Sequence, residues 1–239
     1  LGDVNSYEYT YTNGKYENYF KVIALNGKVK SNKSGATSLE KNLFSENVYI
    51  FANGDDRDEM YKLIRNIYNE QSDFNADAQF NEKRYAFYFK EGDYTDLKTI
   101  PVGFYTQIAG LGATPYDVKL NNITVPAYLD SDNATCNFWR SAENLTVANV
   151  KVDGDETFGT YRPNYFNWAV AQAAPIRRIN SERPVAYDWQ YGWASGGYTA
   201  DSKIIGTADD NGTPISAGTY SGQQFYTRNT DITGNVYGC

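Results

Sequence analysis

The feature that most constrains this chain is a short pattern that recurs beyond residue 100, where helical periodicity is almost absent. Each occurrence places apolar residues around polar ones within four or five positions. The occurrences are "NITV" at 122–125, "NLTV" at 144–147, "IRRI" at 176–179, "SKIIG" at 202–206 and "TDITG" at 230–234. Short strands at steps of about 20–30 residues indicate stacked coils of a parallel β-solenoid. A β-sandwich would space its strands about 8–12 residues apart, so we expect an all-β parallel β-helix.

Before residue 100, the sequence predicts two short strands and one helix. The strands cover 48–51 and 85–89. In "DDRDEMYKLIRNIYNEQ", residues 55–71, apolar side chains recur at helical spacing and form one stripe. The stripe consists of Met60, Leu63, Ile64, Ile67 and Tyr68. Because such a helix must bury its stripe, we expect it to cap the β-structure.

The N-terminal region predicts a separate β element. Residues 1–30 contain two runs of alternating residues separated by Asn13-Gly14, a dipeptide that favours a β-hairpin turn. A polar, loop-like stretch follows. We therefore expect an N-terminal β extension over 1–44 and a parallel β-helix domain over 45–239 that includes the capping helix 55–71.

The composition limits the partners and the compartment. A net charge of −7 over 239 residues argues against a nucleic-acid binder, which would show a basic face. There is no run of 18 apolar residues, so no membrane span is predicted. The chain starts at Leu1 and not at Met, from which we expect a mature, secreted, extracellular chain whose signal peptide has been removed.

The two cysteines agree with an oxidising compartment. A disulfide between Cys136 and Cys239 would close a loop of about 100 residues and would contribute about 4–5 kcal/mol in the chain-entropy model. Two free thiols are the alternative. We favour the disulfide because the chain ends on a cysteine.

The chain contains no histidine, and this excludes several mechanisms. A Ser-His-Asp triad, a His-ligated zinc and an imidazole general base are impossible. Asp130 and Asp132 resemble the start of a calcium loop, but the later Gly and Glu are missing, so a surface turn is the better interpretation. We predict no metal and no cofactor.

Six longer segments occur in an order that is typical of one group of proteins. They are "RYAFYFKEGDY", "VGFYTQIAGLGATPYDVKL", "CNFWRSAENLTV", "NWAVAQAAPIRRI", "GWASGGYTADSKIIG" and "GQQFYTRNTDI". Over about residues 45–234, the chain resembles the N-terminal half of secreted microbial right-handed parallel β-helix proteins of the pectate-lyase-like superfamily. The resemblance implies a right-handed coil. It leaves the activity open, because this superfamily holds glycoside hydrolases, polysaccharide lyases and non-catalytic scaffolds.

Carboxylates are the strongest catalytic candidates. A glycosidase needs two carboxyl groups roughly 5–9 Å apart, one of them protonated. Asp188, Asp201 and Asp231 lie near predicted strand ends and would converge on one face, although their spacing selects no pair. Solvated loop carboxylates are the alternative interpretation. A lyase would use an arginine or lysine base, and an acidic chain is a poor host for its polyanionic substrates.

Aromatic side chains predict a second kind of site, because sugar rings stack on aromatic faces. Trp189, Tyr191 and Trp193 in "YDWQYGW" are the best candidates for glycan binding. The alternative is that these rings pack inside the coils or in stacks between them. For Trp139 we expect packing in the core.

Five asparagines satisfy the N-glycosylation sequon Asn-x-Ser/Thr. They are Asn32, Asn122, Asn133, Asn144 and Asn211. Asn122 and Asn144 precede triplets that we interpret as equivalent positions of successive coils. A turn asparagine there would bond its neighbours in a ladder and stay unmodified, with a glycan as the alternative. The other three lie in polar, loop-like sequence and are better glycan candidates.

These observations support three functional hypotheses. A short β-solenoid that stops at Cys239 leaves an unpaired strand edge, and such an edge templates pairing with another chain. The tyrosine-rich segment 7–25 would complete that edge by strand addition. We therefore favour a secreted, self-associating structural glycoprotein. The alternatives are a carbohydrate-active enzyme that uses aspartates, either a glycoside hydrolase or a polysaccharide lyase, and a non-catalytic glycan-binding module; both have a polysaccharide as partner.

Overall fold

The computed structural model describes short strands at 18–20, 25–26, 29–30 and 37–39, and residues 45–72, 75, 77–126, 134–158, 164–187, 194–205 and 224–233. The chain divides into two compact units, Leu1–Asn47 and Val48–Cys239. In the first unit, β1 (Asn18–Phe20) pairs antiparallel with β4 (Thr37–Leu39), and β2 (Leu25–Asn26) pairs antiparallel with β3 (Val29–Lys30). The hairpin turn predicted at Asn13-Gly14 lies outside the described residues.

The second unit consists mainly of short strands. They are β5 (Val48–Phe51), β6 (Tyr85–Phe89), β7 (Gly92–Tyr94), β8 (Ile100–Pro101), β9 (Thr106–Gly110), β10 (Val118–Leu120), β11 (Ile123–Val125), β12 (Arg140–Val147), β13 (Phe166–Trp168), β14 (Pro175–Ser181), β15 (Val185–Ala186), β16 (Tyr198–Ala200), β17 (Lys203–Ile205), β18 (Tyr226–Arg228) and β19 (Asp231–Thr233). Helical structure comprises α1 (Arg57–Gln71) and a 3-10 turn (Ala78–Phe80). The strand pairs described in this unit are parallel, so the all-β, parallel-sheet part of the prediction is confirmed.

The parallel strands form two sheets. In the larger sheet the order is β5-β6-β9-β12-β14-β16-β18, and β7, β10, β17 and β19 pair alongside this path. In the smaller sheet the order is β8-β11-β13-β15. Successive passes of the chain add strands to both sheets, so each pass forms a coil that stacks on the coil before it.

Two ladders of residues with left-handed backbone geometry turn each coil. The leading ladder stands one or two residues before β9, β12, β14, β16 and β18, and consists of Tyr105, Trp139, Ala173, Gly196 and Gln224. The bend ladder turns the coil within β12 and β14 and after β16 and β18, and consists of Asn144, Arg178, Asp201 and Asn229. This geometry costs a non-glycine residue about 1–3 kcal/mol. Its recurrence at equivalent positions shows that the coil shape requires it.

The observed pairs correct one prediction about the triplets. "NITV" contributes β11 of the smaller sheet, whereas "NLTV" is the second half of β12 in the larger sheet, so the two are not equivalent. "SKIIG" and "TDITG" are equivalent, since Lys203 pairs with Asp231. The pattern does not distinguish the sheets because every side of a coil presents apolar residues to the same interior.

Helix α1 is confirmed, with its N terminus at Arg57. The Asp56 carboxylate accepts hydrogen bonds from the backbone N–H groups of Asp58 and Glu59, both at 3.0 Å, and caps the helix. The buried residues of the helix are Met60, Ile64, Ile67, Tyr68 and Gln71. Most of the predicted stripe therefore joins the core that fills the coils. Among the described helices, none is long and apolar enough to cross a membrane.

The tryptophan prediction is wrong for Trp139. Its side chain is 55% exposed, whereas Trp168 is fully buried and donates its indole N–H to the carbonyl of Ala174 at 2.9 Å. Trp139 belongs to the leading ladder, where the backbone turns just before the strand, so its ring is not directed into the coil interior.

Candidate functional site

An open cleft of about 590 Å³ lies beside the bend ladder. We call it the bend cleft. Its lining residues come from three stacked coils and from the loop after β9, and are Pro115, Tyr116, Ile179, Asn180, Asp201, Ser202, Lys203, Asn229, Thr230 and Asp231. Two of the predicted catalytic candidates, Asp201 and Asp231, thus line the same cleft. The third, Asp188, lies outside the described residues.

Asp201 is held by the next coil. Its carboxylate accepts a hydrogen bond from the side-chain amide of Asn229 at 2.8 Å, and a guanidinium nitrogen of Arg228 lies 3.4 Å from the other oxygen. The Asn229 hydrogen bond, together with the charges of Arg228 and Arg177, lowers the pKa of Asp201 below its ordinary value. The cleft therefore contains an ionised carboxylate at neutral pH.

Three polar side chains form a row along the cleft. Asn180, Lys203 and Asp231 occupy paired positions on β14, β17 and β19. In a strand, alternate residues share one face, and the intervening Ile204 is buried while Lys203 and Asp231 are exposed. Lys203 and Asp231 therefore offer an ammonium and a carboxylate to solvent at successive coils, whereas Asn180 is 7% exposed and donates its amide to the Thr146 hydroxyl at 3.2 Å.

Tyr116 forms an aromatic wall of the cleft and is 64% exposed. Its loop is anchored by the bend ladder: Asn144 donates its side-chain amide to the carbonyls of Gly110 and Gly112, at 3.0 and 2.7 Å. Arg178 donates to the carbonyl of Ala113 at 2.8 Å. Sequence reasoning missed Tyr116, because only tertiary contacts bring this loop beside the bend ladder.

The two described glycosylation candidates lie in buried positions. Asn122 is 3% exposed and donates its side-chain amide to the carbonyl of Tyr165 at 3.0 Å. Asn144 is 8% exposed and uses the same group to hold the Tyr116 loop. A glycan replaces one amide hydrogen, so it would break one of the two Asn144 bonds, and burial of both side chains leaves no room for a sugar. The structural role therefore suits both better. Asn32, Asn133 and Asn211 lie outside the described residues.

Several further predictions fall partly or wholly outside the described residues. Cys136 is exposed and is a free thiol in the described part of the chain, but its predicted partner Cys239 lies outside it, so the disulfide stays a prediction. The glycan-binding candidates Trp189, Tyr191 and Trp193 also lie outside. Within the described ranges, no three Cys, Asp or Glu side chains gather as a metal site would require.

Comparisons with known proteins give the site a context. No family model matches the chain. Over 159 residues, 65% of the chain, the sequence is 47% identical to an exo-β-1,3-glucanase of Streptomyces sp. (strain SirexAA-E / ActE), of which the match covers 22%. The solved structure of sacteLam55A from Streptomyces sp. SirexAA-E matches 80% of this chain with a TM-score of 0.64 and 38% identity, over 30% of its own length. A variant of sacteLam55A in complex with glucose matches 78% of this chain at 39% identity, with a TM-score of 0.63, over 29% of its length.

These similarities contradict the favoured hypothesis of a self-associating structural protein. The curated relative is an enzyme, and one structural relative was solved with a sugar. The chain spans 22% of the curated relative. An unpaired strand edge requires the coil stack to end at Cys239, and a match that covers 22% of a longer enzyme does not support such an end.

Proposed function

We propose that this chain is part of a glycoside hydrolase that acts on β-1,3-glucan. The observation that carries the proposal is the 47% identity to an exo-β-1,3-glucanase over 159 residues. The bend cleft supports it, because an ionised carboxylate, amides and an exposed tyrosine line one surface. This proposal adopts the carbohydrate-active alternative derived from the sequence.

In the proposed enzyme, the bend cleft binds glucosyl units. The ionised Asp201 accepts hydrogen bonds from sugar hydroxyls, and such charge-assisted bonds are stronger than neutral ones. The Asn180 amide adds a neutral donor and acceptor, and the Tyr116 ring offers a face to the apolar side of a pyranose. A general acid must carry a proton, which the lowered pKa of Asp201 disfavours. We therefore assign Asp201 to substrate binding and not to proton donation.

The finer features of the fold belong to the same proposal. The stacked coils form a right-handed parallel β-helix of the pectate-lyase-like superfamily, and right-handedness is nearly universal for parallel crossovers. Helix α1 caps this β-helix, which is supported by the burial of its stripe against the coil core. Residues 1–44 form a separate β extension. The chain acts outside the cell, where polysaccharide substrates are found.

The test separates binding from hydrolysis. The chain is mixed with insoluble β-1,3-glucan, β-1,4-glucan and polygalacturonate; the retained fraction is measured after centrifugation, and released sugars are separated by chromatography. We expect retention on β-1,3-glucan at least tenfold above the other two, about 1.4 kcal/mol of selectivity, and glucose as the product wherever sugar is released. Equal retention on all three polymers, retention on none, or sugar release from polygalacturonate would contradict the proposal.

A further inference from the structure

Four aromatic side chains form a second exposed surface, which we call the aromatic shelf. It consists of Phe80, Tyr105, Phe138 and Trp139, of which Phe80 is 79% and Trp139 is 55% exposed. The shelf lies at the leading ladder, whereas the bend cleft lies at the opposite end of the same strands. A strand such as β9, with five residues, separates the two by about 16 Å.

Two rings of the shelf, Tyr105 and Trp139, form a stack. Tyr105 and Trp139 lie 6.5 Å apart with an interplanar angle of 21°. The guanidinium of Arg84 covers Tyr105 at 3.7 Å from the ring centroid, and the Tyr105 hydroxyl donates to the carbonyl of Gln79 at 2.7 Å. Tyr105 is therefore fixed in place, and among the described residues Trp139 is the last ring of the stack.

Small residues follow Trp139 along the ladder. The paired strands place Ala173 at the equivalent position of the next coil and Gly196 at the one after it. Ala173 is exposed. The far face of the Trp139 indole is therefore followed by a methyl group and then by bare backbone, so the ladder itself leaves that face uncovered.

A polar side chain lies farther along the ladder, against Gly196. A Cβ on Gly196 would lie 2.9 Å from Cγ of Gln172, so the exposed Gln172 side chain passes over Gly196, beside Ala173. Its amide can both donate and accept hydrogen bonds. An aromatic plane with a neighbouring amide presents what a pyranose needs: an apolar face for its C–H groups and a partner for its hydroxyls.

Trp139 is a bulky residue at a ladder position that the coil shape requires, and it is the exposure of its ring that indicates binding. Its φ is 58°, a geometry that is costly for a bulky residue. Because the indole is 55% exposed, its burial contributes little to the stability of the core. Exposed aromatic patches mark binding surfaces, and tryptophan contributes strongly in them.

We propose that the aromatic shelf binds a glucosyl unit of β-1,3-glucan on the open face of Trp139, beside Gln172, as a contact separate from the bend cleft. The ligand class rests on the proposed function. The position of the contact rests on the ring stack and the small residues that follow it.

The experiment is isothermal titration of the chain with a β-1,3-linked glucose hexamer. Trp139→Ala is compared with Tyr226→Ala, a matched loss of an exposed aromatic ring: Tyr226 is 58% exposed and stacks on Tyr198 at 5.7 Å. Ala173 holds the same ladder position as Trp139, so alanine suits the backbone there. We expect Trp139→Ala to weaken Kd about five- to tenfold and Tyr226→Ala to change it less than twofold.

A second variant distinguishes the loss of the aromatic ring from a folding defect. Trp139→Tyr reproduces the residue that Tyr105 provides at the same ladder position, and it should retain Kd within about threefold while Trp139→Ala does not. Three results would overturn the proposal that the shelf binds a sugar. They are unchanged affinity in Trp139→Ala, equal weakening in Tyr226→Ala, and a change in Trp139→Ala that is seen only in the oligomeric state by size-exclusion chromatography.

One result would contradict the proposed function and still support the aromatic shelf. If the wild type binds a β-1,4-linked hexamer and not the β-1,3-linked one, β-1,3-glucan is the wrong ligand, and a loss confined to Trp139→Ala on the β-1,4 hexamer still supports the shelf. If the wild type binds neither hexamer, both proposals are overturned.

Discussion

Two polar clusters on this fold are built from similar side chains and differ in what those side chains contact. The buried cluster comprises Thr99, Asn121, Asp155 and Arg183. Arg183 is 3% exposed and donates to the carbonyls of Ala148 and Val150 and to the Asn121 side chain. Asp155 accepts from Thr99 at 2.7 and 2.8 Å and from the Asn121 amide at 3.0 Å. This cluster ties four successive coils together.

The bend cleft contains the same types of group, but Lys203 and Asp231 of its row are exposed and line an open space. In the buried cluster, hydrogen-bonding capacity is directed to the protein itself, as buried polar groups require. In the cleft, part of that capacity remains for a ligand. The comparison teaches that exposure of the partners, and not residue type, separates a structural cluster from a binding site.

The largest expected effect tests the buried side of this comparison. Arg183→Met keeps much of the side-chain volume but leaves the carbonyls of Ala148 and Val150 and the Asn121 amide oxygen without their donor. Each unpaired buried acceptor costs about 1–3 kcal/mol, so we expect urea denaturation to show a loss of about 3 kcal/mol or more in the free energy of unfolding.

The matched control for Arg183 is Arg228→Met, because the Arg228 side chain is 58% exposed. It should change the free energy of unfolding by less than about 0.5 kcal/mol. Similar losses in the two variants would show that burial does not separate the clusters.

The second prediction tests the bend cleft. Asp201→Asn keeps the shape of the side chain and removes its charge, so affinity for the β-1,3-linked hexamer should fall about fivefold while the urea midpoint stays within error. Asp153→Asn, in an exposed loop, is the control and should bind as the wild type does. A large loss of stability in Asp201→Asn would mean that the cleft is structural.

The pH dependence follows from the lowered pKa of Asp201. A carboxyl group whose pKa is lowered by folding stays ionised as the pH falls to its ordinary value of 3.8, and its contribution is lost only below that, as the pH passes through the lowered pKa. We expect wild-type binding to hold down to about pH 4 and then to decline. Asp201→Asn should lack this decline. A decline centred near pH 5 or above would contradict the assignment.

The smallest expected effect identifies which neighbouring group lowers the pKa of Asp201 most. Asn229→Gly removes the largest influence on Asp201, and glycine accommodates the Asn229 φ of 47°. Carbon-13 NMR titration should show the pKa of Asp201 rising toward its ordinary value. Arg228→Ala should raise it less, because that side chain lies farther away at 3.4 Å. The reverse order would show that charge, and not the hydrogen bond, dominates.

Local patterns in the sequence were enough for some of the individual elements. The strands predicted at 48–51 and 85–89 and the helix predicted at 55–71 match β5, β6 and α1, because alternation and helical spacing report directly which side chains are buried. The triplets also indicated parallel strands correctly. They failed for "NITV" and "NLTV", which lie in different sheets, because every side of a coil presents apolar residues to the same interior.

The two candidate sites show where sequence reasoning ends. Asp201 and Asp231 were candidates from their position near strand ends, but Tyr116 and the exposure of Trp139 had no sequence signal. Tyr116 reaches the cleft only because Asn144 and Arg178 hold its loop across coils. In the sequence, Trp139 resembles a core residue. In the structure, the left-handed backbone at its ladder position directs its ring away from the coil interior.

The sequence by itself therefore determined two early strands, the helix and the parallel stacking of the later strands, because burial of apolar side chains follows local periodicity. Only the tertiary structure decided which coils align, which carboxylates share a cleft and which tryptophan faces solvent. Those outcomes depend on contacts between residues that are tens of positions apart, such as Asn144 with Gly112, and no local pattern encodes them.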